Sequence, residues 1–172
     1  MKDYGFKAFG RVNPDPGWVL GQIRSRYDKV VIELGAGKGE KYDGTVYVDI
    51  SEKASPRSDI IVDLEDGIPL PDGCVDLLHS NQLLEHIHNI IPLMNEIYRV
   101  LKIGGKTWHR VPYFLSPHSV GDPTHVRQFS EESFKYYCNG FADSFSDYGI
   151  TARFKKYMLK KEGHGLYVEF EK

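Results

Sequence analysis

The chain has 172 residues, 41% apolar and 27% charged, with a formal net charge of -2. That suits one domain with a buried core, and it argues against a nucleic-acid partner, which needs a broad basic face to neutralise phosphates. No stretch approaches the roughly 20 apolar residues of a membrane span, and two cysteines, Cys74 and Cys138, form neither a disulfide framework nor a C-x-x-C pair.

The N-terminus lacks an apolar leader core, so a cytoplasmic chain with reduced thiols is expected. Residues 1–28 read as an arm and a helix. Asp15 is placed to cap that helix, Pro16 suits its first position, and Trp18, Val19 and Ile23 recur at helical spacing. The run "KVVIELG" (29–35) is continuously apolar into a glycine, as in a strand buried on both faces. "TVYVDIS" and "DIIVDLE" (59–65) repeat that character, and a turn at Pro71-Asp72-Gly73 leads to a fourth strand near 74–79. Residues 82–101 read as helix in two pieces. Ile90, Met94, Ile97 and Leu101 form the apolar face of the second, and Gly104-Gly105 reads as its C-cap. "KTWHRVP" is a fifth strand.

A polar and aromatic loop follows over 113–129, a length more often functional than idle. Ser130, Glu131 and Glu132 open a further helix that Gly140 ends. Strands near 151–159 and 165–171 close the chain as a hairpin, whose basic run "RFKKYMLKK" reads as a solvated face. Strands alternating with connections and then a hairpin make an α/β sheet with mostly parallel strands. The segments 29–112, 113–129 and 130–172 read as cofactor-binding core, acceptor-side loop, and C-terminal helix with hairpin.

Open α/β sheets bind ligands at the carboxyl ends of their strands, where strand order reverses. The first strand ends in "ELGAGKG" (33–39), a G-x-G-x-G pattern rather than the dinucleotide G-x-G-x-x-G. A pyrophosphate needs a helix N-terminus behind such a loop. Here only "EKYDGT" (40–45) returns the chain to the second strand. As helix, six residues span about 9 Å, whereas a five-residue strand is about 17 Å long. The crossover is therefore expected to be extended or a single turn, with no full helix between Gly39 and Val46. Glu33 and Asp49 stand at the ends of the first two strands. Carboxylates there accept from ribose hydroxyls and attract an ammonium, but repel phosphate. The pattern suits S-adenosylmethionine and opposes a nicotinamide dinucleotide.

Five pieces, "VIELGAGKG", "VYVDIS", "VDLEDGIPLPDGCVDLLHSNQLLEHI", "LMNEIYRVLKIGG" and "RVPYFLSPHSVGDPTHVRQFS", occur in order between Val30 and Tyr137. In them the chain resembles the class I S-adenosylmethionine-dependent methyltransferases of the type 11 methyltransferase-domain group. The resemblance implies a Rossmann-like, mostly parallel seven-stranded sheet of order 3-2-1-4-5-7-6, an antiparallel closing hairpin and here a shortened first crossover helix. It implies that Gly35, Ala36 and Gly37 face the methionine part of the cofactor, with Glu33 holding the loop and helping the amino group. Asp49 would take the ribose hydroxyls, Ile50 would lie against adenine, and Asp63 and Leu64 would meet the adenine edge. Ser80 and Asn81 would line the methyl-donor end. Ile103 replaces the family's usual proline before the paired glycines.

Within 113–129, His125 is the expected general base, with Tyr113 or His118 behind it, because histidine titrates near neutral pH. Arg127 either clamps an acidic group or braces the loop. His86 reads as structural. His118, Asp122 and His125 have metal-ligand side chains, but H-x3-D-x2-H is no recognised metal spacing, so no metal site is expected. The run "SNQL" lacks the D/N-P-P-Y signature of nucleobase methylation. The expected acceptor is a small molecule, such as a saccharide or another metabolite. The alternative is a non-catalytic S-adenosylmethionine-binding sensor or partner subunit.

Overall fold

Among the described residues, 15–53 and 55–172 of the computed structural model, the apolar runs assemble into one seven-stranded sheet. Its strands are β1 (Val31–Leu34), β2 (Thr45–Asp49), β3 (Ile60–Ile61), β4 (Val75–Asn81), β5 (Leu101–Pro112), β6 (Lys156–Glu162) and β7 (Gly165–Glu171). They lie in the order β3-β2-β1-β4-β5-β7-β6, and β7 alone runs opposite to the other six. This is the expected α/β topology. β2 is buried at every position, as a parallel strand covered on both faces must be. The chain leaves β1 towards β2 and β3, then returns to β4 on the other side of β1. That reversal opens a crevice at the carboxyl ends of β1 and β4.

Two helices flank the sheet. α1 (Pro16–Arg24) starts where expected, with Asp15 accepting the Trp18 N–H at 2.7 Å. Val19 and Ile23 are buried on it, but Trp18 faces outward and is 48% exposed. α2 (Ile90–Val100) buries Leu93, Met94, Ile97 and Val100, each worth about 2 kcal/mol of burial. No helix among the described residues is long and apolar enough to cross a membrane. The first part of the N-terminal arm, residues 1–14, lies outside the described residues.

Several expected elements change character. No helix occupies 39–46, in agreement with the short crossover. β3 shrinks to two residues because Asp63 takes the Glu65 N–H at 3.0 Å and turns the chain into a 3-10 turn, Leu64–Asp66. The first helical piece after β4 is also only a 3-10 turn, Leu84–His86. Gly104-Gly105 is not a helix cap: α2 ends at Val100 and the glycines lie inside β5. There they form a bulge against β4, since Val75 pairs with Leu101 but Leu77 pairs with Lys106. A Cβ on Gly105 would stand 2.9 Å from the Lys102 carbonyl oxygen and 3.0 Å from that of Val75. The expected helix at 130–140 is a 3-10 segment, Glu131–Tyr137, and a second, Ala142–Tyr148, follows beyond Gly140. The loop 113–129 contains a short helix, α3 (Pro117–Gly121).

Two histidines in the sheet set an acid limit. His109 is fully buried, with Nδ1 2.8 Å from Ser80 Oγ and Nε2 2.9 Å from Thr107 Oγ1. Burial holds its pKa down to about 3. His79 stacks on Trp108 at 4.5 Å, and burial plus the Arg57 charge hold it down to about 4. Both rings stay neutral in the fold while the unfolded chain takes up protons below about pH 6.5. The unfolded state then binds more protons, so stability is lost as pH falls. Glu85, raised to about 7 by burial, works oppositely over its own range, but it is one group against two. The urea midpoint is therefore expected to fall from pH 6.5 to 4.5. His79→Phe keeps the stack on Trp108 and should make the fall shallower; an unchanged slope would remove His79 from this account.

Candidate functional site

After β1 the chain turns through Gly35 (φ 70°) and Gly37 (φ 57°), left-handed conformations that glycine enters without strain. A Cβ on Gly35 would also meet Leu83 Cδ1 at 2.9 Å. The loop's N–H groups point inward. Gly35 and Ala36 both donate to the Val48 carbonyl, at 2.9 and 3.3 Å, and Gly37 donates to Asp49 Oδ2 at 3.0 Å. These three donors are therefore not left to cradle a phosphate, which a dinucleotide loop must do.

Asp49 ends β2, is 8% exposed, and also accepts the Ile50 N–H at 2.8 Å. It faces a cleft of about 320 Å³ whose lining includes Gly35, Ile50, Val62, Asp63, Leu64, Leu83, Ile87 and His86. Apolar walls from Val62, Leu64 and Ile87 suit an uncharged aromatic ring. A carboxylate oxygen has lone pairs beyond one backbone bond, so Asp49 can accept from hydroxyls as well. The cleft thus fits a nucleoside that lacks phosphate. Of the expected cofactor residues, Gly35, Asp49, Ile50, Asp63 and Leu64 line it.

Glu33, Ala36, Gly37, Ser80 and Asn81 do not line it. The Glu33 carboxylate pairs with Arg57 at 2.7 Å, both side chains largely buried. Burial raises the Glu33 carboxyl, and Arg57 pulls it back down. Arg57 also donates through Nε to the Ala36 carbonyl at 2.7 Å and reaches the Glu40 carbonyl. Its guanidinium lies over the Tyr47 ring, 4.3 Å from the centroid. Tyr47 in turn accepts the Tyr42 N–H on its hydroxyl at 2.6 Å. This is how so short a crossover holds its shape: a cation from the β2–β3 connection staples the loop that a helix would otherwise back. Ser80 is fully buried and its hydroxyl is engaged by His109, while Asn81 is exposed at the end of β4.

A second cleft, about 610 Å³, is lined by Gln82, His86, Pro117, His118, Gly121, Asp122, Pro123 and His125. It therefore contains His125 and His118. Tyr113 does not line it; its ring sits under Lys161 Nζ at 3.8 Å, and its backbone N–H donates to the His164 carbonyl at 2.9 Å. His86 lines both clefts and so joins them. The 113–129 loop is zipped to the 84–88 turn. Val126 N–H donates to the Glu85 carbonyl at 2.9 Å, and Arg127 donates to the carbonyls of Ile87 and His88 at 2.8 and 2.6 Å. Of its two open roles, Arg127 thus takes the bracing one.

Arg57 and Glu85 escape a reading by sequence, and so does the place of His86 between the two clefts. Arg57 lies in a connection without periodicity or motif. Glu85 and His86 sit in "LLEHI", whose apolar flanks read as helix. The available signal was a buried-type run carrying two adjacent ionisable residues, which packing rarely tolerates without a use.

The strand order and the reversal beside β1 are those of the class I methyltransferase fold. The family described as "Methyltransferase domain" matches residues 33–108, from the end of β1 into β5. In that segment the chain is similar to S-adenosylmethionine-dependent methyltransferases, whose cofactor is S-adenosylmethionine. A protein of Mycolicibacterium smegmatis described as a probable S-adenosylmethionine-dependent methyltransferase is 26% identical over 117 residues, covering 56% of this chain. The chain spans 46% of the length of that curated relative. Among solved structures, a SAM-dependent methyltransferase from Archaeoglobus fulgidus aligns with a TM-score of 0.59 at 15% identity, covering 92% of this chain and 95% of that one. A chain from the complex of the Haloferax volcanii Trm112 methyltransferase activator with a methyltransferase gives 0.59 at 14% identity, covering 90% and 87%. At these identities the structural likeness speaks for the fold.

Proposed function

We propose that this chain transfers a methyl group from S-adenosylmethionine to a small molecule, a saccharide or comparable metabolite, and that it does so as one catalytic unit. The observation that carries this reading is the pair of clefts joined at His86, one floored by Asp49 and the other lined by His118 and His125. Bound S-adenosylmethionine supplies an electrophilic methyl group on a sulfonium. Asp49 would hold the ribose hydroxyls, Ile50 and Leu64 the adenine faces, and Asp63 its amino edge. Gly35 would let the loop approach the methionine part closely.

The chain's remaining work is positioning, and a well-oriented pair of reactants gains a large effective concentration. In the simplest form of this reading His125 is the general base for the acceptor. Its side chain is only 8% exposed, and its Nδ1 is 3.2 Å from the Ser119 carbonyl, which leaves Nε2 for a proton. His118, exposed in the same cleft, would orient the acceptor, while Tyr113 lies outside it.

A calorimetric titration with S-adenosylhomocysteine and with a nicotinamide dinucleotide, followed by a methyl-transfer screen of hydroxyl-bearing acceptors, tests the reading. Dinucleotide binding without S-adenosylhomocysteine binding would overturn it. Cofactor binding with no acceptor turned over would favour the sensor or partner-subunit alternative. His125→Ala is expected to lower kcat by about 100-fold or more while cofactor affinity stays nearly unchanged. Loss of cofactor affinity instead would sink the assignment.

A further inference from the structure

Glu85, His86 and His125 come from segments about forty residues apart in sequence, yet one ligating atom from each lies within 4.8 Å of the others. Glu85 is 1% exposed, and among the described residues neither carboxylate oxygen meets a hydrogen-bond donor from another residue. A carboxylate buried without a partner is costly, and such groups are normally paired or bound to a metal. The two imidazoles are already oriented. His86 Nδ1 is 3.3 Å from the Thr124 carbonyl and 3.0 Å from its hydroxyl. That hydroxyl donates to Asp122 Oδ1 at 2.6 Å, so it accepts from His86. His125 Nδ1 lies 3.2 Å from the Ser119 carbonyl. An Nδ1–H held by an oxygen leaves the lone pair on Nε2, the arrangement that metal-binding histidines use. Gln82, at the head of the same turn, holds a φ of 54°. Strain of that kind persists only where the surroundings impose it, and it gathers at functional sites.

We propose that Glu85, His86 and His125 bind a divalent transition cation of the Zn²⁺ type, through one carboxylate oxygen and two Nε2 atoms. Two imidazoles and one carboxylate suit such an ion, whereas Mg²⁺ and Ca²⁺ prefer oxygen ligands. Ligands of a tetrahedral Zn²⁺ stand about 3.3 Å apart, so the cluster closes by side-chain rotation. Asp122 Oδ2 lies 3.9 Å from His125 Nε2, on the side of the second cleft. The remaining coordination position faces that cleft and would take an oxygen of the acceptor. A bound cation lowers the pKa of a hydroxyl that it coordinates. The O–H bond then breaks with its electron pair kept on oxygen, and the proton passes to solvent in the cleft. This narrows the acceptor to a hydroxyl-bearing small molecule, and His125 acts through the cation instead of taking the proton itself. That role rests on the methyl-transfer reading; the binding of the cation does not.

The test uses the full chain freed of metal by chelation and titrated with Zn²⁺ and Co²⁺. Binding is read by calorimetry and by the visible spectrum of Co²⁺, and S-adenosylhomocysteine affinity is measured on the same preparation. One cation per chain is expected. Glu85→Gln and His125→Ala should each weaken binding at least about 100-fold, while His164→Gln leaves it intact. X-ray absorption on the unmodified Zn²⁺ protein serves if a variant does not fold, and should report two imidazoles and no sulfur. No stoichiometric binding, sulfur in the coordination shell, or unchanged binding in folded Glu85→Gln would overturn the site. Normal S-adenosylhomocysteine binding without cation binding overturns the metal site alone. Cation binding without S-adenosylhomocysteine binding overturns the methyltransferase reading alone.

Discussion

Asp49→Ala is expected to weaken S-adenosylhomocysteine binding by about 100-fold. Hydrogen bonds to a charged group contribute about 1.5–3 kcal/mol each, and two ribose hydroxyls would be left without acceptors. The side chain is well placed for this: Gly37 and Ile50 N–H groups fix its two oxygens at 3.0 and 2.8 Å, so it is held before any ligand arrives. The same bonds mean that Asp49→Ala also frees the glycine loop. Asp49→Asn separates the effects, because an amide oxygen still accepts one of the backbone donors while the charge is lost. Calorimetry beside thermal denaturation reads both. Folded Asp49→Ala with unchanged cofactor affinity would take Asp49 out of the site.

The second large effect is expected at Arg57. Arg57→Leu removes the partner of a Glu33 carboxylate whose side chain is 12% exposed, together with the bonds to the Ala36 and Glu40 carbonyls. Breaking a buried ion pair from one side costs about 3 kcal/mol, chiefly because the remaining charge is stranded. Urea denaturation is expected to register a loss of that size, with weaker cofactor binding as the loop loosens. Glu33→Gln added to Arg57→Leu should restore part of the stability, since no buried charge is left unpaired. A double-mutant cycle measures this coupling. Additive losses would mean that Glu33 and Arg57 do not act as a pair.

These two residues show what kind of information a sequence holds. Asp49 was legible because it ends an apolar run at a fixed place behind a glycine loop. The periodicity that makes a buried strand also says where its carboxyl end must be. Arg57 was not legible. Its partners are Glu33, Ala36, Glu40 and Tyr47, and nothing local in "SEKASPRSD" marks it for any of them. The missing crossover helix could be counted out from six residues, but not the cation that replaces it.

Much of the rest divides in the same way. Most strand positions, α2 and the presence of a closing hairpin followed from apolar runs and turn residues, because burial and backbone geometry are local demands; the hairpin's first strand, expected near 151–159, runs Lys156–Glu162 instead. The sheet order came from the resemblance that those pieces carried together. Gly104-Gly105 misled because paired glycines serve a helix end and a strand bulge equally well; only the β4 partner, with its carbonyl 3.0 Å from where a Gly105 Cβ would stand, decides between them. Helix character at 82–89 and 130–140 gave way to 3-10 turns, since helix propensity is weak in short segments and packing overrides it.

By itself, then, the order of residues determined a parallel sheet, a glycine loop after its first strand and the carboxylate that ends the second. Each depends on neighbours within a few positions. Tertiary structure alone decided which charges are paired and which are stranded. It set Arg57 beneath the loop, took Ser80 into the sheet against His109, and brought Glu85 and His86 to His125. Those contacts join segments far apart in sequence, and their energies depend on burial and distance, which only the folded chain supplies.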